Sequence, residues 1–287
     1  MIRRILVTLD GSPSSNAAAA VSLRLAARHK AQLIGLGILD TDFIQRPQAV
    51  PAGAMSYKHA LDVKLLEDAR QRLLAVLSDF GEKARTAGVQ HSTKQIEGEP
   101  RAVIEAAATE CDIVALGKTS LHSVDGELSS MAMSVEQILR NSVRPVLVVP
   151  DRQVVGGPGR ELSPIVVAFD GSVVSSRALH VFALLGLGRG RQVHVLTQDD
   201  RSTKGAESTA EHACELLRAH RLTRVRAIGL GDRQAGKPAE AILGTAKSVD
   251  ASMIVMGAYG HRGIQELFGS CTRSVLAGLE TPLLMYH

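Results

Sequence analysis

Glycine and hydroxyl-bearing residues are concentrated in one stretch of the second half of the chain, residues 257–272. Glycines that follow a strand let a phosphate group approach the backbone closely, and the free N–H groups at a helix start bind anions. Serine and threonine hydroxyls add hydrogen-bond donors. The stretch therefore predicts a site for a phosphate chain, with the candidates Gly257, Gly260, His261, Arg262, Gly269, Ser270, Cys271 and Thr272.

A second polar segment, formed by Asp170, Gly171 and Ser172, directly follows an apolar run at 165–169. In an open parallel sheet, ligands bind beyond the carboxyl ends of the strands, where the winding reverses. We therefore expect residues 170–172 and 257–272 to form one site. Plainer roles remain open, since Asp170 can simply cap a strand-to-helix turn and Ser270 can be an ordinary helix N-cap. Gly257 and Gly260 can serve only as turn residues, and His261 and Arg262 can lie on a solvated loop.

The elements that must position these segments occur twice in the chain. The sequence at 5–12 recurs at 165–172, the sequence at 112–117 recurs at 252–257, and the closing run at 144–149 recurs at 281–286. A Gly- and Pro-containing stretch at 151–163 separates the copies and is typical of a linker. The repeat predicts two domains, residues 1–150 and 164–287.

Strand and helix patterns alternate within each copy, which implies parallel strands joined by right-handed helical crossovers. The predicted fold class is therefore α/β, with two tandem domains that each contain a five-stranded parallel sheet flanked by helices. The Pro- and Gly-containing stretch at 40–57 predicts a long loop. In the first copy we expect strands near 2–9, 32–38, 89–96, 112–117 and 145–149, and helices near 13–30, 60–87, 100–110 and 132–142.

The motifs as a set resemble the universal stress protein family in its tandem two-domain form. The opening Asp-Gly-Ser, the Gly-Lys-Pro at 236–238, the Gly257-x-x-Gly260 motif ending in Gly269-Ser270, and the closing strand after Pro282 all match the family pattern. The spacing between Gly260 and Gly269 is one residue shorter than in that pattern. The resemblance covers nearly the whole chain and implies Rossmann-like domains of the adenine nucleotide alpha hydrolase-like type.

The resemblance implies that the second domain binds ATP or another adenine nucleotide, and it is compatible with Mg²⁺ bridging the phosphates. By resemblance, Asp170 contacts the adenine, Gly257 and Gly260 lie against the ribose and phosphates, and the phosphate chain is held by Gly269, Ser270 and Thr272. The sequence identifies neither catalytic residues nor metal ligands. The implied function is stress-response regulation through protein partners, with at most slow ATP hydrolysis.

The first copy keeps Asp10, Gly11 and Ser12 but loses the later glycines. Ser120 stands where the family has its second glycine, and Ser129 and Ser130 stand where Gly-Ser should open the last helix. Without those glycines the backbone cannot easily fold around a triphosphate. We therefore expect the first nucleotide pocket to be weak or empty.

Composition narrows the remaining classes of function. The chain of 287 residues has a net charge of +4 but scattered basic residues, 3% aromatic residues and no Trp, which argues against nucleic acid as a partner. No apolar run is long enough to span a membrane. The three cysteines lack a CxxC pattern, which favours a reducing, cytoplasmic location. By resemblance, the apolar last strands pair the two copies into an internal pseudo-dimer, and two chains can associate further.

Two other classes of function stay open. One is a stress scaffold that binds no nucleotide, and the other is an adenylating enzyme of the wider adenine-nucleotide group. The segment 231–237 fits the first seven positions of a P-loop, but Pro238 stands where Ser or Thr should bind Mg²⁺. Proline also offers no N–H to a phosphate, which argues against a genuine P-loop.

Overall fold

The computed structural model of the protein describes residues 1–45, 55–119, 135–151, 162–199, 202–231, 236–258 and 270–287. The chain divides into two compact units, Ile2–Arg144 and Pro145–His287, with Met1 grouped with the second. The predicted domain limits, 1–150 and 164–287, stay a prediction.

The first unit alternates strands and helices. Its strands lie in the order β3-β2-β1-β4, and each neighbouring pair is parallel. Its elements are β1 (Arg4–Thr8), α1 (Pro13–His29), β2 (Gln32–Leu39), α2 (Thr41–Ile44), α3 (Met55–Thr86), β3 (His91–Glu97), α4 (Pro100–Ala108), β4 (Ile113–Gly117) and α5 (Val135–Asn141).

The second unit has the strand order β5-β10-β9-β6-β7-β8. The five strands of the second repeat are parallel to one another, whereas β5, from the first repeat, pairs antiparallel with β10. Its elements are β5 (Val146–Val149), β6 (Ile165–Ala168), α6 (Val173–Leu185), β7 (Val193–Asp199), α7 (Thr203–Ala219), β8 (Val225–Gly231), α8 (Pro238–Ser248), β9 (Met253–Gly257), α9 (Ser270–Ala277) and β10 (Leu283–Tyr286).

The α/β fold with tandem Rossmann-like domains is therefore confirmed. The central strands β1 and β4 are apolar and almost entirely buried, as expected for parallel strands covered on both faces. Helix starts follow the local sequence, because the hydroxyls of Ser12 and Ser172 accept hydrogen bonds from the amides of Ser15 and Ser175. Gly186 ends α6 in the left-handed conformation with φ of 72°.

The stretch predicted as a loop at 40–57 contains helical residues at both ends. Asp40 caps the short helix α2 through its side chain, which accepts from the amide of Phe43. The helix α3 begins at Met55, before the predicted start, and residues 46–54 lie outside the described part of the chain. Turn-forming composition therefore marked a connection here but missed the capping carboxylate that starts α2. Among the described residues, no helix is both long and apolar enough to cross a membrane.

Candidate functional site

A cleft lies at the carboxyl ends of β6, β7 and β9 in the second unit. Its volume is about 140 Å³, close to the ~150 Å³ apolar cavity that accommodates a benzene-sized ring. The cleft therefore has room for a flat ring of at least benzene size. Five of the sequence-predicted residues line it, namely Asp170, Ser172, Gly257, Cys271 and Thr272.

The turn from β6 to α6 fixes the position of Asp170. Its Oδ1 accepts a hydrogen bond from the amide of Ser172 at 2.9 Å. Gly171 between them has a φ of +74°, which favours glycine. The Ser172 hydroxyl then accepts from the amide of Ser175 at 3.1 Å and begins α6. Asp170 thus has the turn-capping role that the sequence left open, and its carboxylate is also held at the edge of the cleft.

Gly257 ends β9 where that strand passes the first turn of α6. A Cβ atom at this position would lie 2.7 Å from the amide nitrogen of Ser175 and 2.8 Å from the carbonyl carbon of Val174. Real Cβ atoms do not approach backbone so closely, so only glycine fits here. The structure therefore gives Gly257 a packing role that is independent of any ligand.

The start of α9 forms another side of the cleft. Thr272 is buried, Cys271 is half-buried and Ser270 is exposed. Burial raises the pKa of the Cys271 thiol, and the nearby Asp170 carboxylate raises it further. The free amides of a helix start attract anions, so this side suits the negative end of a ligand.

Sequence reasoning missed the remaining walls of the cleft. Leu196, Pro238, Ala241, Ile242 and Met256 make most of it apolar, and Gln198 adds a polar group from the end of β7. The site predicted from the sequence includes only the loops after the first and fourth strands of the repeat. Since β7 is the neighbour of β6, the rule that ligands bind beyond the carboxyl ends of strands could also have indicated Gln198.

Several predicted residues fall outside the described part of the chain. In the second unit these are Gly260, His261, Arg262 and Gly269, and in the first unit they are Ser120, Ser129 and Ser130. Their predicted roles therefore stay predictions. Within the described ranges, no cluster of three or more His, Cys, Asp or Glu side chains is arranged to bind a metal ion.

The first unit has the same turn after its first strand as the second unit, but different hydrogen bonds follow that turn. The Asp10 Oδ1 accepts from the amide of Ser12 at 2.8 Å, as in the second unit. The buried Ser14 hydroxyl then accepts hydrogen bonds from Thr119, at 3.3 Å from its amide and 2.9 Å from its hydroxyl. These bonds tie the start of α1 to the residues after β4. The second repeat has Val174 in place of Ser14 and cannot form this side-chain link.

Comparisons with known proteins agree with this architecture. The sequence profile of the universal stress protein family matches residues 1–150 and 161–287. A universal stress protein from Archaeoglobus fulgidus DSM 4304 has 18% identity and a TM-score of 0.70, covering 99% of this chain and 97% of its own. A functionally unknown protein from Pseudomonas aeruginosa PAO1 has 18% identity and a TM-score of 0.57, with coverages of 99% and 92%.

A shorter universal stress protein from Arabidopsis thaliana, solved with AMP bound, has 16% identity and a TM-score of 0.35. It covers 53% of this chain and 93% of its own. No curated protein matches the sequence.

Proposed function

The chain belongs to the universal stress protein family, and from this membership we propose that its second unit binds ATP or another adenine nucleotide. The bound nucleotide regulates contacts with protein partners during a stress response. The base enters the apolar cleft beside Asp170, and the ribose passes Gly257 and Gly260. The phosphate chain is held by Gly269, Ser270 and Thr272, and Mg²⁺ can bridge the phosphates.

One observation carries this proposal, namely that residues distant in sequence line a single cleft. Asp170 and Ser172 come from the β6–α6 turn, Gly257 from the end of β9, and Thr272 from the first turn of α9. The apolar walls match a flat ring, since burying apolar surface favours binding. The polar groups at the helix start match a chain of negative charge. An adenine nucleotide has both parts in one molecule.

We also propose that nucleotide binding is confined to the second unit. In the first unit, the bonds between Ser14 and Thr119 hold the two segments that would have to separate around a phosphate chain. Val76 of α3 lies 3.0 Å from where a Cβ of Gly11 would be, so the helix also packs closely on the turn after β1. Both contacts support a weak or empty first pocket.

The last strands of the two repeats pair with each other within one chain. Strand β5 is the last strand of the first repeat, β10 is the last strand of the second, and they pair from Val146 with Met285 to Val148 with Leu283. This pairing supports the proposed internal pseudo-dimer of repeats. We also propose that the protein is cytoplasmic and that two chains associate.

Calorimetric titration of the full chain with ATP tests the nucleotide proposal. Ala241 lines the cleft from α8, so Ala241→Trp fills the space for the base. We expect one ATP per chain in the unsubstituted protein and a loss of affinity of at least about tenfold, or ~1.4 kcal/mol, in this variant. Lys247→Trp, at an exposed position of the same helix, is the matched control and keeps full affinity.

Unfolding curves of both variants establish that they are folded before titration. Two equivalent ATP sites per chain would contradict the assignment to the second unit. Undiminished affinity in Ala241→Trp would place the nucleotide elsewhere. No binding by the unsubstituted chain would favour a scaffold that works without nucleotide.

A further inference from the structure

Gln198 is a polar residue of the cleft. Among the described residues, its side-chain nitrogen has a hydrogen-bond partner and its side-chain oxygen has none. It lies near the end of β7, and its Nε2 donates a hydrogen bond to the carbonyl oxygen of Gly236 at 3.0 Å. A carbonyl oxygen can only accept, so this bond determines which end of the amide is the nitrogen. The remaining end, Oε1, is therefore an acceptor.

That acceptor has no hydrogen-bond donor among the described residues, and water does not reach it. Its surroundings explain why. Leu196 and Ile242 line the same cleft, and their apolar side chains offer no donor. Buried acceptors in folded proteins are nearly always paired, because leaving one unpaired is costly. Gln198 itself lines the cleft, so a ligand that shifts its side chain slightly can supply the missing donor.

We propose that Gln198 selects the base of the bound nucleotide by accepting a hydrogen bond from an exocyclic amino group. The 6-amino group of adenine is such a donor, whereas the 6-oxo group of hypoxanthine or guanine presents a second acceptor at that position. The Gln198 side chain as a whole is half-buried. Its terminal torsion has a broad energy minimum, so a small rotation presents Oε1 to the cleft. This role rests on the proposed function and assigns its base specificity to one side chain.

The polar contact adds discrimination that the apolar walls cannot provide. An apolar wall contacts any purine ring almost equally well, whereas a site that pairs with a substrate group rejects analogues that lack the group. The Gly236 carbonyl keeps the donor end of the amide occupied, so Gln198 cannot readily turn its nitrogen toward an oxo group. Gln198 is thus a specificity-determining residue.

Two nucleotides and two variants of the full chain test this role. ATP and purine riboside triphosphate differ only in the 6-amino group, so the ratio of their dissociation constants measures the contribution of that group. We expect the unsubstituted chain to prefer ATP about tenfold. In Gln198→Leu and Gln198→Met the preference falls to about twofold or less, chiefly because ATP binds more weakly.

Gln192→Leu is the control, since Gln192 precedes β7 and lies outside the cleft. It should retain the tenfold preference. The leucine and methionine side chains differ in shape. If one variant does not fold, the other can still be measured. If the chain binds ATP and the preference is absent, or persists in both variants, the role of Gln198 is wrong and the proposed function stands. If the chain binds neither nucleotide, the proposed function itself fails.

Discussion

Gly257 lies so close to Ser175 that a single added Cβ would be 2.7 Å from the amide nitrogen that starts α6. The end of β9, at Gly257, therefore packs closely against the start of α6 beside the cleft. The strand end and the helix can pack this closely only because residue 257 is glycine and has no Cβ. This contact also provides a direct test of the packing described above.

Gly257→Ala is expected to destabilise the chain by ~1–3 kcal/mol, the usual cost of inserting a methyl group into tight packing. Nucleotide affinity should fall as well, because the strand end must shift away from α6. Urea unfolding measures the first effect and ATP titration the second. Gly244→Ala is the control, because Gly244 lies inside α8 with open space around it. That change should stabilise by up to ~1 kcal/mol, since alanine favours helix. A neutral effect of Gly257→Ala would contradict the observed contact.

The three cysteines should react with thiol reagents at very different rates. Burial raises the pKa of the Cys111 and Cys214 thiols to about 11, and both side chains are shielded from solvent. Cys271 is more accessible, so a disulfide reagent at pH 8 should label it first. ATP should slow that labelling because Cys271 lines the cleft. Cys271→Ser should abolish the fast phase, and a fast phase that survives this substitution would contradict the assignment.

Asp170→Asn should accelerate the labelling of Cys271. The Asp170 carboxylate raises the pKa of that thiol, so removing its charge lowers the pKa and increases the thiolate fraction. Asparagine keeps an oxygen that can accept from the Ser172 amide, so the turn should be preserved. The pH dependence of the labelling rate measures the change. A curve displaced to higher pH would have the wrong sign for this electrostatic relationship.

Acid should destabilise the second unit through His194 in β7. Burial lowers the pKa of this side chain, and the Arg226 cation lowers it further. Because the unfolded chain then binds more protons than the folded chain, the stability is present above about pH 6.5 and is lost as the pH falls below that value. Urea unfolding at pH 7.5 and pH 5.5 measures the loss.

His194→Val should make the urea midpoint less sensitive to this change in pH. His212→Ala, at an exposed position of α7, should leave the sensitivity unchanged. Equal pH dependence in the unsubstituted chain and in His194→Val would assign the effect to other groups.

Ser14→Ala should destabilise the first unit by ~1–2 kcal/mol, because the amide and hydroxyl of Thr119 lose their shared acceptor. Hydrogen exchange at the amide of Thr119 should become faster. Ser176→Ala is the matched control, since Ser176 is exposed in the first turn of α6. If the Thr119 amide exchanges equally fast in the variant and in the unsubstituted chain, the bond is not formed in solution.

The sequence was informative wherever a local rule determines the backbone. The apolar runs of β1 and β4 mark strands buried on both faces, and Ser12 before Pro13 marks a helix start. The same local signals indicated Asp170 and Gly257 as site residues, because turns and close approaches need particular residue types. Their ligand roles remain predictions.

The apolar half of the cleft could not be predicted in this way. Ala241 and Ile242 are ordinary residues of a helical face, and only the packing of α8 beside β6 makes them walls of the cleft. Gln198 is likewise inconspicuous in sequence, since its importance depends on the Gly236 carbonyl, a partner 38 residues away in the chain. That Oε1 lacks a donor among the described residues can be seen only from the positions of its neighbours in three dimensions.

The antiparallel pairing of β5 with β10 has a consequence for how such a gene can be divided. A cut in the linker between the repeats would leave β5 on the first fragment and take its partner, Leu283 to Met285, onto the second. Each fragment would then expose an apolar strand edge that had lost its partner, and such edges promote aggregation. We therefore expect the two repeats to be encoded and expressed together, although each half of the gene encodes a complete copy of the repeat.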